Sequence, residues 1–187
     1  MSKYFTYFPQ VFHTGEKLVN ITKRAKFYES LQKDPYVFLP YTIQDDLRSD
    51  QVANYYYGNS KYIWLVYLSN NIIDPLNEWP LSSSDFENML IKKYADISGT
   101  TGFDVINWIM RTDITDNIIH YRNKEDPNLI LSKESFTLSN DYASDEWEAY
   151  RHYEYEDDLN NSRRTIYLLD RRFLSQVETE FKRIMNE

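Results

Sequence analysis

The sequence predicts an α+β fold: an extended N-terminal arm, a compact βααβ unit, then helix and β-hairpins packed together and closed by a C-terminal helix. Three observations carry that expectation. Between Tyr41 and Trp79 a β-prone run, two helical patterns and a turn follow one another in a short span. Apolar runs bounded by Asn, Asp and Pro recur between Ile118 and Leu169, as in hairpins. The last stretch, from Asp170 to Met185, places Leu174, Val177, Phe181, Ile184 and Met185 on one stripe at helical spacing.

The arm comprises residues 1–39. Tyr7-Phe8-Pro9 reads as extended, because a proline disfavours helix at the residue before it. Residues 20–28 mix β-branched, basic and aromatic side chains irregularly, as a short helix or an extended segment. Little local sequence could bury Tyr4, Phe5, Tyr7, Phe8 and Phe12, so these residues are expected to find order on a partner.

The βααβ unit spans residues 40–81. Tyr41-Thr42-Ile43 supplies its first strand. Ser49 or Asp50 caps a helix in which Val52, Ala53, Tyr56 and Tyr57 recur at helical spacing, and Gly58 ends it. Asn59-Ser60 starts a second helix with Ile63, Trp64, Leu65, Tyr67 and Leu68, which leave little polar face and predict burial. Asn70-Asn71 stops that helix, Ile72-Ile73-Asp74-Pro75 makes the return, and Trp79-Pro80-Leu81 is expected as the second strand. Tyr41, Ile43, Val52, Tyr56, Trp64, Leu68, Ile73, Pro75 and Trp79 are the expected core of the unit.

Residues 82–187 form the third region. Ser82-Ser83-Ser84-Asp85 opens a helix carrying Phe86, Met89, Leu90 and Tyr94. Ile118–Tyr121 and Leu129–Leu131 are expected as strands around the turn 123–128. A second hairpin is expected from Ala149–Glu156 and Arg164–Leu169, around Asp158-Leu159-Asn160-Asn161.

Composition narrows the chemistry. Seventeen Tyr, ten Phe and four Trp can fill a core, while a mean hydropathy of −0.66 keeps the surface wet. Tyrosine joins a stiff apolar body to a polar tip and serves interfaces as well as interiors. A net charge of −8 argues against a nucleic-acid partner, since neutralising phosphates requires a Lys/Arg surplus. That charge is uneven: residues 1–40 hold six Lys/Arg against three Asp/Glu, and the remainder holds fifteen against twenty-six. Opposite-signed ends suit head-to-tail association. With no cysteine, disulfides, thiol nucleophiles and Cys-based zinc sites are excluded. No export signal follows Met1 and no apolar run is long enough to span a bilayer, so a soluble protein with no membrane partner, made in a cytoplasm, is expected.

No catalytic motif stands out. His13, His120 and His152 fall in an arm and two predicted strands, without a nucleophile motif. Glu154, Glu156, Asp157 and Asp158 are the best pair-forming carboxylates for glycoside hydrolysis, yet they lie in a run of eight acids and one arginine across residues 141–158. Such a run reads as a solvated edge or a patch facing a basic partner. Four scattered glycines build no phosphate loop, and 141–148 lacks the ligand alternation of a calcium loop. No enzyme activity, metal or cofactor is expected. Arg163-Arg164 and Arg171-Arg172 are expected to pair with the acidic hairpin or with another subunit.

The stretch Tyr41-Thr42-Ile43 … Asp50-Gln51-Val52-Ala53 … Tyr56-Tyr57-Gly58 … Trp64 … Asn70-Asn71-Ile72-Ile73-Asp74-Pro75 resembles a LysM module, best known for gripping amino-sugar polymers. With Tyr7-Phe8-Pro9, Asn20-Ile21-Thr22 and Arg24 before it, and Arg163-Arg164-Thr165-Ile166-Tyr167-Leu168-Leu169-Asp170 after it, the chain resembles a more particular family. That family is the small baseplate wedge protein that clamps neighbouring wedges in T-even-like, contractile-tailed bacteriophages. Residues 95–145 carry little of the likeness. The resemblance implies a structural protein of the virion tail baseplate, made in the host cytoplasm. Its implied partners are wedge-core and sheath-initiator-type subunits and neighbouring wedges in a six-fold assembly. The expected partner-binding residues are Tyr4, Phe5, Tyr7, Phe8, Pro9, Phe12, Asn20, Ile21, Arg24 and Phe27. Carbohydrate-binding LysM modules usually continue their first strand with a Gly-Asp-Thr/Ser-Leu turn. Here Gln44-Asp45-Asp46-Leu47-Arg48-Ser49-Asp50 stands in its place, which shifts the expectation from sugar to protein. The alternative is a peptidoglycan- or chitin-binding LysM protein.

Overall fold

The computed structural model describes residues 8–20, 22–23, 25–27, 34–138 and 144–186. The fold is α+β, and the chain divides into two compact units: Met1–Pro80 with Arg163–Glu187 (unit 1), and Leu81–Ser162 (unit 2).

Unit 1 begins with a β-hairpin where an extended arm is expected. Strands β1 (Gln10–His13) and β2 (Glu16–Val19) pair antiparallel, with Gln10 opposite Val19 and His13 opposite Glu16. Thr14 and Gly15 between them have φ of 50° and 85°, the doubly left-handed turn that matches strand twist in a two-residue hairpin. Strand β3 (Phe38–Thr42) follows, then helix α1 (Ser49–Tyr57). The α1 helix starts at Ser49, and the Arg48 N–H donates to Gln51 Oε1 at 2.9 Å, satisfying a donor at the helix entry. Val52 and Ala53 are fully buried. Gly58 ends the helix at φ 76°, where its N–H reaches the Asn54 carbonyl at 2.9 Å. A 3₁₀ turn over Ser60–Tyr62 leads into α2 (Ile63–Ser69), whose Leu65 and Val66 are fully buried. Asp74 caps the short α3 (Pro75–Glu78) by accepting from the Leu76 N–H at 3.1 Å.

Trp79-Pro80-Leu81 forms no strand. Trp79 is instead half-buried, and its indole N–H donates to the Leu47 carbonyl at 2.9 Å. Ile73, expected in the core, is 60% exposed. It sits in a turn where the Glu78 carboxylate accepts the N–H groups of Ile73 and Asp74, at 2.6 and 2.8 Å.

Unit 2 opens with α4 (Ser83–Ser98), capped as expected by Ser82, whose hydroxyl accepts from the Asp85 N–H at 3.1 Å. Its buried Phe86, Leu90 and Tyr94 pack with Val105, Ile106 and Ile109 of α5 (Phe103–Met110). Asn117, fully buried, donates its amide to the carbonyls of Trp108, Ile109 and Arg111, closing the end of α5. Strands β4 (Ile118–Asn123) and β5 (Ile130–Leu131) form the expected hairpin. After α6 (Lys133–Leu138), strand β6 (Trp147–Arg151) pairs with the other side of β4, giving the order β5-β4-β6.

The expected strand Ala149–Glu156 is a correction. The strand stops at Arg151, and α7 (His152–Ser162) follows. The alternation Tyr153-Glu154-Tyr155-Glu156 imitates a strand period, but Glu156 and Asn160, one helical turn apart, are the buried residues. Glu156 accepts from Lys93 Nζ at 2.6 Å and from the Tyr94 hydroxyl at 2.7 Å. Asn160 clasps the Leu81 backbone, accepting from its N–H at 2.7 Å and donating to its carbonyl at 3.3 Å. Unit 2 thus ties its last helix to its first residue.

The chain returns to unit 1 as β7 (Thr165–Leu169), which pairs antiparallel with β3 from Phe38↔Leu169 to Thr42↔Thr165, rather than with a strand of unit 2. A 3₁₀ turn over Arg171–Phe173 precedes α8 (Leu174–Asn186). Phe38, Ile43, Val52, Leu65, Val66, Ile166, Leu168 and Leu169 make the unit 1 core. The order strand–helix–helix–strand therefore exists, with its second strand supplied by β7 after unit 2 has intervened.

Candidate protein-docking surfaces

Of the expected partner-binding residues, Tyr4, Phe5, Tyr7, Ile21 and Arg24 lie outside the described residues. Two of the others are absorbed by the chain itself. Phe8 is only 6% exposed, because the apolar stripe of α8 supplies Phe181 and Met185 to cover it. Phe27 packs edge-on to Phe38, ring centroids 5.3 Å apart. Asn20 continues the hairpin, its N–H donating to the Pro9 carbonyl at 2.7 Å, while its side chain accepts from Thr22. Phe12 stands apart at 77% exposure. Of the expected module core, Ile43 and Val52 are buried, and Tyr41, Tyr56, Leu68, Pro75 and Trp79 are half-buried. Trp64 is half-buried too, stacked on Phe181 with centroids 4.4 Å apart.

The β1–β2 hairpin lies on the surface of unit 1. All eight strand residues are exposed. The bond from Asn20 to Pro9 sets the phase of the ladder, so Val11 and Leu18 face each other with their backbone groups inward. The N–H and C=O groups of Gln10, Phe12, Lys17 and Val19 then point outward, along two edges with no partner among the described residues. Apolar side chains occupy both faces: Phe12 and Val19 on one, Val11 and Leu18 on the other. A lone two-stranded ribbon is at best marginally stable in water. The sequence signal was Thr14-Gly15 between alternating runs.

The β3–β7 sheet is the opposite case. The Ile43 N–H to Arg164 carbonyl bond fixes its phase, and the outward edge of β3 then presents Pro40, which has no N–H to offer. On the outer edge of β7, Asn70 takes the place of a further strand. Its side-chain oxygen accepts from the Tyr167 N–H at 2.7 Å, and its amide donates to the Tyr167 carbonyl at 2.8 Å. Strand addition is blocked at both middle positions.

The acidic run is mostly committed to structure. Glu154 accepts from the Arg151 N–H at the start of α7, and Glu156 is held by Lys93 and Tyr94. Asp158 accepts from the Tyr150 hydroxyl at 2.8 Å and lies 3.8 Å from Arg122, whose guanidinium sits 3.1 Å from the Tyr150 ring centre. Burial, then the neighbouring Arg122, hold the pKa of His120 below its ordinary value. Burial, then Lys133 and Lys93 against the opposing pull of Glu156, do the same for His152. Arg164, Arg171 and Arg172 meet groups of unit 1 instead of the acidic hairpin. Arg164 meets Asp45 at 3.1 Å, Arg172 meets Asp170 at 2.9 Å, and Arg171 lies over the Tyr56 ring. Among the described residues no three His, Cys, Asp or Glu side chains gather as a metal site.

No helix among the described residues is long and apolar enough to cross a membrane. No match is found among curated proteins. A family model described as base plate wedge protein 53 matches residues 7–176, which takes in the hairpin, both strands of the β3–β7 sheet and all of unit 2. The chain belongs to the base plate wedge protein 53 family, structural proteins of the phage tail baseplate.

Proposed function

We propose that the protein joins neighbouring wedges of a T-even-like contractile-tail baseplate through protein–protein contacts, without catalysis. The observation that carries this reading is the β1–β2 hairpin, apolar on both faces and open on both edges in a member of a baseplate wedge family. An element of that kind gains stability only when another chain completes it. Its partners in this reading are wedge-core and sheath-initiator-type subunits of a six-fold assembly, located in the virion tail, with neither nucleic acid nor membrane involved. The β3-α1-α2-β7 arrangement is read as a LysM-like module, interrupted by unit 2 and serving as a rigid support for the hairpin. The blocked edges at Pro40 and Asn70 favour the hairpin over the β3–β7 sheet as the docking strand.

The test is reconstitution of wedges with a Phe12→Asp variant. Phe12 is exposed, so the substitution spares the fold, and wedges should form but fail to join. Unimpaired joining would overturn the reading. Sedimentation with purified cell wall, competed by chitin-type oligomers, would instead favour the glycan-binding alternative.

A further inference from the structure

We propose that His120 and Arg122 form an acid-sensitive latch in unit 2, which holds α7 to the β4–β6 ladder while the imidazole is neutral and releases it when the imidazole takes up a proton. The geometry is that of one arginine gripped from three sides. Its Nε donates to His120 Nε2 at 3.4 Å. A guanidinium has only donors, so the nitrogen facing it must offer a lone pair. His120 is therefore held neutral, with its ring proton on Nδ1. Directly across the ladder lies the buried Tyr150, its ring centre 5.0 Å from that of His120. The Arg122 guanidinium carbon sits 3.1 Å from the same ring centre. The Tyr150 hydroxyl in turn donates to Asp158 of α7 at 2.8 Å, and Arg122 lies 3.8 Å from that carboxylate. Arg122, steadied by a neutral histidine, thus links β4, β6 and α7.

Protonation at Nε2 removes the acceptor and sets an imidazolium beside a guanidinium that cannot give up its own charge. The charged groups on the surrounding elements are placed elsewhere. On β6, Glu148 lies opposite Arg122 in register and is exposed. On α7, Glu154 accepts the Arg151 N–H, Glu156 is held by Lys93 and Tyr94, and Asp158 is the carboxylate already engaged by Tyr150 and Arg122. Strand β5 contributes only Ile130 and Leu131. Helix α6 carries Lys133 and Glu134, but it meets β4 through Phe136 stacked on Tyr121, whose side chain lies on the opposite face from His120. The repulsion is relieved when Arg122 turns away, and the cation then leaves both the Tyr150 ring and Asp158.

The titration of His120 has the matching sign. Burial, then Arg122, keep its folded pKa below the ordinary value of about 6.5. Stabilisation from a group of that kind is complete above the unfolded value and is lost as pH falls from there toward the folded one. His152 is a built-in control: its ring lies against Tyr94, with centres 5.0 Å apart, and its charged neighbours are Lys133, Glu156 and Lys93 rather than a guanidinium.

The experiment is an NMR titration of the full chain between about pH 8 and pH 5, the range in which histidine changes charge. His120 should titrate below about 6.5, and the Arg122 Nε–H and Tyr150 ring signals should shift with the same midpoint. Exchange protection of the Tyr150 amide and of the α7 amides should fall several-fold across that midpoint, while Val52 in unit 1 keeps its own. His120→Gln retains an acceptor but takes up no proton, so it should remove the shift of the Arg122 signal and the loss of protection at Tyr150, with the His152 titration unchanged. Arg122→Gln should move the His120 midpoint upward. A His120 midpoint at or above about 6.5, or an Arg122 signal that does not follow it, would overturn the proposal on the wild type alone. An equal loss of Tyr150 protection in His120→Gln would overturn it as well.

Discussion

The two units close their cores in opposite ways. Unit 1 pairs β3 from its first segment with β7 from its last, so Ile166, Leu168 and Leu169 reach the core only after all of unit 2 has been made. Unit 2 is continuous in sequence, packs α4 on its near neighbour α5, and has Asn160 tie its final helix to Leu81. Long-range pairing must meet a loop-closure cost before it is rewarded, whereas neighbouring helices meet almost none. Unit 1 also leaves a ribbon uncovered, and unit 2 leaves an acidic edge strand. The difference leaves the exposed β1–β2 hairpin on the unit whose own fold depends on the rest of the chain.

The largest effect should come from cutting the chain at that distinction. A fragment ending at residue 81 lacks β7 and should show no cooperative thermal transition by circular dichroism, whereas residues 81–162 alone should unfold cooperatively. Equal behaviour of the two fragments would break the comparison. Next in size are core truncations. Leu168→Ala in unit 1 and Leu90→Ala in unit 2 both remove fully buried side chains, and each should cost about 2–5 kcal/mol in chemical denaturation. Amide exchange should rise mainly in the unit that carries the change.

The asparagine clasps come third. Asn70→Ala strips the Tyr167 backbone of both bonds and Asn160→Ala does the same to Leu81, each costing about 1–3 kcal/mol in denaturant titrations. The smallest effect is acid titration. Hydrogen bonds from Arg172, in unit 1, hold the Asp170 carboxyl below its ordinary value, and Arg111, in unit 2, brings Asp113 down to about 2. A lowered folded pKa means stabilisation that is present above the unfolded value and lost as pH falls through the folded one. Carboxyl carbon shifts followed by NMR should therefore still report Asp113 ionised at pH 3. Titration near the unperturbed aspartate value of about 3.9 would remove the pair from the account.

What the sequence revealed divides along the same line. Elements with local signals were legible: α1 through Val52, Ala53 and Gly58, α4 through its Ser82 cap, and α8 through its apolar stripe. The partner of β3 was not, because nothing in Tyr41-Thr42-Ile43 distinguishes a strand at 79–81 from one at 165–169. Helix α7 was hidden by its alternating tyrosines and glutamates, and only the inward pair Glu156 and Asn160 betrays the helical period. Helix α5 passed unread because it is short, and its exposed Phe103 and Met110 blur the stripe of Val105, Ile106 and Ile109 that faces away from Asp104 and Asn107. On the hairpin, Phe12 was legible as an exposed aromatic. Burial of Phe8 was not, since its cover arrives from α8 at the other end of the chain.

Completion of the hairpin by another chain is tested directly by amide exchange. The outward amides of Gln10, Phe12, Lys17 and Val19 should exchange freely in the isolated protein and become protected in assembled baseplates, while Val52 and Leu168 stay protected in both. Equal exchange of the four outward amides in the free and assembled states would contradict it.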